Sequence, residues 1–509
     1  MKKTYVLNFV CFQLCIFFSV FSQTKSIVPR KTYKKDFYTN PIFIGKAGDP
    51  SIVRVGSHYY MTHSGGDYPS LPILHSTDLI NWENIGFAYK GDGSPWAPDL
   101  VYLNGRFYIY VTLVRNKIEG GRSFQNYVFT SEYPAGPWSD PIDLKVDGKI
   151  DPGHIVTSEG KRYLYFDKGC VAELSADGTK IISDIEKRYN GWSIPIDWNV
   201  ECFCLESPKL FKKGDYYYLV SAQGGTTGPS TSHMAIVARS KSALGPWENS
   251  PLNPLIHTKS RDEKWWSQGH ATLIEHTDGT WWAVFHAYEN NYRTLGRQTL
   301  LLPVEWTKDN WPIIKRNVNA QSLIEKPSTT NICTTKIDLS DDFSSKNLKY
   351  HWRTNLEKNN VDNFWLDNNQ LVLKAQDQPF NKAPAIYCMP KNHAYETTVQ
   401  VTIEDENEAA FAISDQTNYL GIILKKNQLE TFSQGSSSLE ALKITENTVY
   451  LKLVNLHHDL ALYYSLNGKE WTKFKNSFEV SHLKPANITL LAKGKGLVKF
   501  KEFTYKSID

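Results

Sequence analysis

The sequence is poor in cysteine and lacks a strong excess of charge of either sign. Seven cysteines occur in 509 residues, and two of them, Cys11 and Cys15, lie in an apolar N-terminal segment. The other five form an odd and sparse set, which excludes a disulfide-rich scaffold. Lys and Arg number 57 against 53 Asp and Glu. This balance excludes a protein that binds nucleic acid mainly by neutralising phosphates.

Long apolar runs are also missing after residue 22, where no segment reaches the roughly 18–20 residues of a membrane-spanning helix. We therefore expect neither a membrane nor a nucleic acid as partner. Hydrophobic residues still make up 41% of the chain, so it can bury a core. Aromatic residues reach 13%, with 15 Trp, 28 Tyr and 24 Phe. Such a content is typical of β-strands and of surfaces that stack on sugars.

The first 22 residues have the pattern of a secretory signal peptide. Two lysines precede an apolar stretch at 5–21, and Val20 and Ser22 occupy the small-residue positions before the expected cleavage site. A membrane anchor is the alternative, but the run is short and lacks a stop-transfer flank. We predict that residues 1–22 are removed and that the protein is exported to the periplasm or the cell exterior.

A two-strand pattern recurs five times after residue 48. Each copy has an acid or a histidine at the head of a short apolar strand, then a turn, then a strand rich in Tyr, Phe and Trp, which is the signature of a β-hairpin. The heads are spaced 50, 52, 55 and 64 residues apart. They are Asp49, Asp99, Asp151, Glu206 and His270. This period predicts an all-β fold in which residues 23–320 form a five-bladed β-propeller.

The propeller predicts where the head residues meet. The innermost strand of each blade lines the central channel, so its head residues converge at one end of that channel. Asp49, Asp151 and Glu206 would then share one pocket, and three carboxylates in one pocket predict a catalytic site. Asp99 stays outside this set, because a turn-capping role explains it as well.

A second domain is predicted after a polar linker at residues 321–339. From residue 340 to 509, alternating apolar stretches are separated by Lys, Asn, Gly and Ser, and no helical period of useful length occurs. This pattern favours an antiparallel β-sandwich of the jelly-roll, lectin-like kind. The domain could bind polysaccharide, shape the rim of the pocket or only stabilise the propeller.

The five repeats resemble glycoside hydrolase family 43, in particular its β-xylosidase and α-L-arabinofuranosidase members, many of which carry such an accessory sandwich. Seven motifs occur in the family's order across the propeller. They are Gly48-Asp-Pro-Ser-Ile52, Ser94-Pro-Trp-Ala-Pro-Asp-Leu100, Ile150-Asp-Pro152, Leu205-Glu-Ser-Pro-Lys209, Gly269-His-Ala271, Phe285-His-Ala-Tyr288 and Leu295-Gly-Arg297. Ser207 and Gln298 depart from the residues common in the family.

The resemblance implies an inverting, exo-acting hydrolase that removes xylose, arabinofuranose or both from xylan-type hemicellulose oligosaccharides. Inversion needs two carboxyl groups roughly 6.5–9.5 Å apart, with a water between one of them and the sugar. On this interpretation Asp49 is the general base and Glu206 the general acid. Asp151 orients Glu206 and raises its pKa, because a nearby negative charge favours the protonated form.

Four further residues complete the predicted site. Arg297 is expected to hold sugar hydroxyls or a carboxylate through its planar guanidinium, and Trp96 to form an apolar wall for the sugar ring. His286 is predicted to contact substrate. The resemblance implies no required cofactor, but His270 could hold a hydrated central cation, often calcium.

Two cysteines precede the predicted acid. Cys202 and Cys204 lack the additional close ligands of a zinc site, so we interpret them as small buried thiols. They share strand parity with Glu206 and are expected to line the pocket near it.

Other functions remain open on the sequence alone. A retaining propeller enzyme would use Asp49 as a nucleophile, an endo-arabinanase would share the fold, and a lectin-like propeller would bind glycans without cleaving them. The three acids disfavour the lectin, since binding alone needs no raised pKa. The choice between xylose and arabinofuranose and the oligomeric state are not set by the sequence.

Overall fold

The fold is described from a computed structural model of the chain. It describes residue 1 and residues 36–508, apart from 65–69, 118, 329–337, 355–362, 405, 416 and 434–438. The predicted signal peptide and residues 329–337 of the predicted linker lie outside the described residues and stay predictions. Within the described part, no helix has the length and apolar character of a membrane span.

The propeller consists of five antiparallel sheets, each formed by a continuous part of the chain. A short strand, β1 (Phe37–Tyr38), precedes them. The first two sheets contain β2 (Ser51–Val55), β3 (His58–Thr62), β4 (Ser70–Ser76), β5 (Glu83–Lys90), then β6 (Ser94–Leu103), β7 (Arg106–Asn116), β8 (Arg122–Ser131) and β9 (Ile142–Asp147). The third contains β10 (Gly153–Val156), β11 (Arg162–Phe166), β12 (Cys170–Leu174) and β13 (Glu186–Lys187).

The fourth and fifth sheets complete the ring. The fourth has an extra strand, β18, which pairs with β16. Their strands are β14 (Glu206–Lys213), β15 (Tyr216–Gln223), β16 (Met234–Ser240), β17 (Glu248–Asn249), β18 (Ile256–His257), then β19 (Trp265–Glu275), β20 (Trp281–Glu289), β21 (Arg297–Trp306) and β22 (Pro312–Ile314). The described 3-10 helices are Asp167–Gly169 and Arg293–Leu295. The prediction of five blades is confirmed.

The segment before the first blade closes the ring against the fifth blade. Strand β1 pairs with β23 (Ile324–Glu325), and the Ile42 N–H donates to the Thr299 carbonyl at 3.0 Å. Asn40 exchanges hydrogen bonds of 2.9 and 3.0 Å with the backbone of Leu301. The first and last blades are therefore joined by hydrogen bonds of the segment that leads into Asp49.

A left-handed residue marks each inner strand near the channel. Non-glycine residues pay roughly 1–2 kcal/mol for this conformation, so its repetition identifies equivalent positions. These residues and their φ angles are Asp49 (57°), Ala97 (41°), Asp151 (58°), Ser207 (54°) and His270 (57°). The predicted register was thus wrong in two blades, where Asp99 lies two residues after Ala97 and Glu206 one residue before Ser207.

The second domain is a sandwich of two seven-stranded sheets with an apolar core between them, as predicted. One sheet has the order β24 (Trp352–Thr354), β27 (Ala385–Cys388), β36 (Asn487–Lys493), β29 (Glu408–Ser414), β30 (Tyr419–Lys425), β31 (Gln428–Ser433), β32 (Glu440–Lys443). The other has the order β25 (Phe364–Asp367), β26 (Gln370–Lys374), β37 (Leu497–Ser507), β28 (Ala394–Ile403), β33 (Thr448–Leu456), β34 (Asp459–Ser465), β35 (Thr472–Glu479).

A buried ion pair joins the second and fourth blades at the channel. Lys209 Nζ lies 3.0 Å from Asp99 Oδ1, and only 4% and 10% of these side chains are exposed. Lys209 also donates to the Pro98 carbonyl at 2.7 Å, and Asp99 accepts the His154 N–H at 2.8 Å. Asp99 is therefore a structural residue in this fold, held between three blades.

Lys209→Met is expected to lower the free energy of unfolding by about 3–5 kcal/mol, because it leaves Asp99 buried without its cation. Urea unfolding followed by tryptophan fluorescence measures the change. Lys212→Met, on the same strand but exposed, is the control, and Asp99→Asn combined with Lys209→Met should recover part of the loss. Equal stability of the two single variants would contradict the role of the pair.

Candidate active site

Asp49 is the centre of a polar cluster at the end of the channel. Its side chain is 7% exposed, and its Oδ1 lies 2.5 Å from Arg297 Nη1 and 3.1 Å from His270 Nδ1. Oδ2 accepts a short hydrogen bond from Ser64 Oγ, which in turn accepts the Ala97 N–H at 2.8 Å. Both carboxylate oxygens are thus held by donors or cations from other parts of the propeller.

These neighbours keep Asp49 ionised. Burial alone would raise the pKa of its carboxyl, but Arg297 and the imidazoles of His270 and His286 hold that pKa well below its usual range. The glycine before it permits the close approach of the guanidinium, since a Cβ on Gly48 would lie 2.4 Å from Arg297 Nε. Arg297 therefore pairs with a carboxylate, one of the two roles predicted for it.

His286 lies behind Asp49 and has no exposed surface. Its Nδ1 accepts the backbone N–H of Asp49 at 3.0 Å, which fixes the proton of the neutral ring on Nε2. The structure therefore gives His286 a contact with Asp49, whereas the predicted contact with substrate would need an exposed ring.

Asp151 and Glu206 form the second part of the site. Asp151 is 4% exposed, and its Oδ2 accepts the Ser207 N–H at 3.2 Å. Burial and the charge of Asp49 raise the pKa of Asp151 to about 8, and burial and Asp151 raise the pKa of Glu206 well above its usual range. Both groups therefore hold their protons to a higher pH than an ordinary carboxyl group does. Asp49, Asp151 and Glu206 lie close enough for their charges to interact, and their role as one catalytic site stays a prediction.

Trp96 stands one residue before Ala97, at the start of the hydrogen-bond chain to Asp49. Its half-buried ring meets Phe124 edge-on at 5.8 Å, and the Arg122 guanidinium lies 5.1 Å from the ring centre. Its use as a wall for the sugar ring stays a prediction.

Three buried histidines surround the acids. His233, which sequence reasoning missed because it belongs to no recognisable motif, stacks on His286 at 5.2 Å. It lies in one group of close donor atoms with Glu206 and His270, and a second group contains Asp49, His270 and His286. Calcium takes 6–8 oxygen ligands, whereas these groups consist mostly of imidazoles. The donors therefore do not fit directly coordinated calcium.

The interpretation of Cys202 and Cys204 as thiols is corrected by the structure, which joins them in a disulfide. They are half-buried, in the segment that leads into Glu206. Sequence parity could not show this, because the left-handed Cys204 (φ 31°) interrupts the extended backbone. Cys170 and Cys388 are buried free thiols.

A five-bladed propeller with carboxyl groups clustered at its channel is the arrangement expected for the family that the sequence motifs resemble. Sequence comparison agrees, because the description of glycosyl hydrolases family 43 matches residues 38–312. The chain belongs to this family. A second description, the β-xylosidase C-terminal concanavalin A-like domain, matches residues 340–490.

Individual relatives have related names. A non-reducing end α-L-arabinofuranosidase of Bacteroides ovatus is 33% identical over 353 residues, which are 64% of this chain and 62% of that protein. A β-xylosidase of Bacillus subtilis is 28% identical and covers 87% of this chain and 92% of its own. The chain thus spans about six-tenths of the length of the first curated relatives it matches.

Solved structures show the same architecture along both domains. The family 43 protein BlXynB of Bacillus licheniformis superposes with a TM-score of 0.82 at 28% identity, covering 92% of this chain and 99% of that one. A xylan β-1,4-xylosidase of Bacillus halodurans gives the same TM-score at 25% identity, with coverage of 92% and 100%.

The raised pKa of Glu206 predicts a pH-dependent gain in stability for Glu206→Gln. The folded state retains a proton that the unfolded chain loses at lower pH, near the ordinary pKa of a Glu, so the ionisable group increasingly destabilises the fold as pH rises from there. The gain in Tm over wild type should therefore be larger at pH 8 than at pH 5, measured by differential scanning calorimetry.

Glu305→Gln is the matched control, because Glu305 is an exposed acid on β21. A difference in Tm between Glu206→Gln and wild type that is the same at pH 5 and pH 8 would contradict the raised pKa.

Proposed function

We propose that the protein is an inverting, exo-acting glycoside hydrolase that removes xylose, arabinofuranose or both from hemicellulose oligosaccharides. The observation that carries the proposal is the unequal ionisation of the clustered acids. Arg297 and His270 keep Asp49 charged, while burial and mutual repulsion leave a proton on the pair Asp151 and Glu206. One charged and one protonated carboxyl group are what single displacement requires.

The charged carboxylate acts on the water. The oxygen of a water attacks the anomeric carbon while Asp49 accepts a proton from that water. The glycosidic bond breaks on the opposite face of the sugar. The Arg297 and Ser64 contacts fix the orientation of the carboxylate. Water therefore adds its OH to the sugar, and Asp49 later returns the proton to solvent.

The protonated group acts on the leaving oxygen. Glu206 gives its proton to that oxygen as the bond breaks, so the aglycone departs as a neutral alcohol. Glu206 then regains a proton from solvent, which balances the proton that Asp49 releases. Asp151 lies next in space and accepts the N–H of Ser207, the residue after Glu206. When this pair of acids holds a single proton, the negative charge on Asp151 favours the form in which Glu206 carries that proton, which makes Asp151 a positioning and pKa-setting residue.

The type of sugar is inferred from the relatives. The curated relatives include proteins named β-xylosidase, xylosidase/arabinosidase and non-reducing end α-L-arabinofuranosidase. These names support release of terminal pentoses over internal cleavage of arabinan. Xylose and arabinofuranose present similar hydroxyl groups, so we propose activity on one or both.

Proton NMR of the first sugar released from nitrophenyl β-xyloside or nitrophenyl α-L-arabinofuranoside tests this assignment. We expect the product with the configuration opposite to that of the substrate, because water attacks directly. Retention would assign a nucleophilic role to Asp49 instead. Absence of cleavage of both substrates and of xylo-oligosaccharides would reject the hydrolase proposal.

The loss of kcat should depend on the leaving group of the substrate when Glu206 is substituted, but not when Asp49 is substituted. Asp49→Ala is expected to lower kcat by roughly 10²–10⁴ for every substrate, because it removes the base. Glu206→Ala should lose as much with xylobiose but far less with a dinitrophenyl glycoside, whose leaving group needs no proton. Steady-state kinetics measure both.

Asp215→Ala is the control, because this side chain is 86% exposed and lies outside the cluster. Equal losses with both leaving groups in Glu206→Ala would contradict the acid role.

A further inference from the structure

A short stretch of the sandwich lies against the propeller on both sides of the Asp49–Arg297 pair. Residues 389–393, Met-Pro-Lys-Asn-His, connect β27 to β28. Every second residue of this stretch contacts the propeller, namely Met389, Lys391 and His393. We call residues 389–393 the bridging stretch.

The first contact is with the segment that leads into Asp49. Lys391 Nζ donates to the Ile44 carbonyl and lies 4.6 Å from the centre of the Phe43 ring. Met389 Sδ accepts the N–H of Lys46 at 2.8 Å. The segment 43–46 thus has its backbone held by two sandwich side chains, three to six residues before Asp49.

The second contact is with the segment that leads into Arg297. His393 Nε2 lies 2.9 Å from Glu289 Oε2, and its ring stacks on Tyr292 with 3.8 Å between the centres. Glu289 is buried and also accepts from Gln298 Nε2 at 3.2 Å, next to Arg297. Two more sandwich histidines, His457 and His458, contact the same segment.

The two propeller segments are themselves joined at one point. The Ala47 N–H donates to the Arg297 carbonyl, and Thr299 Oγ1 donates to the Ala47 carbonyl, both at 2.8 Å. The bridging stretch contacts both segments that meet at this junction, with Met389 and Lys391 on one and His393 on the other. A loop held on a sheet framework keeps a site in place better than a loop alone.

We propose that Met389, Lys391 and His393 are positioning residues that hold the Asp49 carboxylate and the Arg297 guanidinium in register. Loss of these contacts would let the two propeller segments separate, which would loosen the ion pair. A misplacement of about 1 Å in a catalytic group costs up to roughly 10²-fold in rate. The sandwich is then part of the catalytic apparatus. The kinetic part of this proposal rests on the proposed hydrolase function.

The test compares Lys391→Met, His393→Ala and the double variant with wild type in the full chain. Deuterium exchange measured by mass spectrometry should rise in peptides covering 43–49 and 289–298, and kcat should fall by roughly tenfold in the double variant. The acidic limb of the kcat/KM profile should move to higher pH, because Arg297 no longer holds the pKa of Asp49 as low. Lys382→Met, an exposed sandwich lysine, is the control.

The outcomes separate positioning from simple stabilisation. Folded variants with unchanged exchange in both segments would overturn the proposal, and so would a loss of activity that follows only the folded fraction while the acidic limb stays in place. If wild type cleaves no glycoside but exchange at 43–49 still rises in the variants, the hydrolase proposal fails and the positioning role stands.

Discussion

The site depends on the ion pair between Asp49 and Arg297 inside a cavity that is otherwise unfavourable to charge. Carboxyl groups removed from water keep their protons unless a partner compensates the lost hydration. Of these three acids, Asp49 has such a partner in contact, at 2.5 Å. Asp151, which is buried, and Glu206, which is half-buried, form no ion pair with a Lys or Arg among the residues that the structure describes, and their pKa values are raised. One arginine thus separates the roles of three similar side chains.

Much of this arrangement follows from sequence because a propeller repeats. The Asp-Pro pairs at 49 and 151 recur at equivalent inner-strand positions, and both aspartate side chains are buried near the channel. The repeat predicts the wrong register for the inner strands of the second and fourth blades, where Ala97 and Ser207 are the left-handed residues. A periodic argument finds the strand but not its register to one residue, since hairpin and bulge lengths differ between blades.

Other parts of the site could not be read from the sequence. Ser64 and His233 belong to no motif, and they reach the cluster only because strands from different blades converge there. His286 was identified by its motif, but burial decides that it faces Asp49. The Cys202–Cys204 disulfide depends on a local left-handed turn that a simple strand parity argument ignores. Contacts between distant segments, such as Met389 with Lys46, leave no periodic signal.

Closure of the ring has a consequence for the proposed activity. The segment that seals the first blade to the fifth, through Asn40 and the Thr299 backbone, continues within nine residues into Asp49. If the hydrogen bonds between these two blades broke, the Asp49 carboxylate would move away from the Arg297 guanidinium. Each sheet would still keep its own strand pairing. Turnover would therefore stop before most of the β-structure unfolds. Loss of activity would then indicate that the ring of five blades has opened.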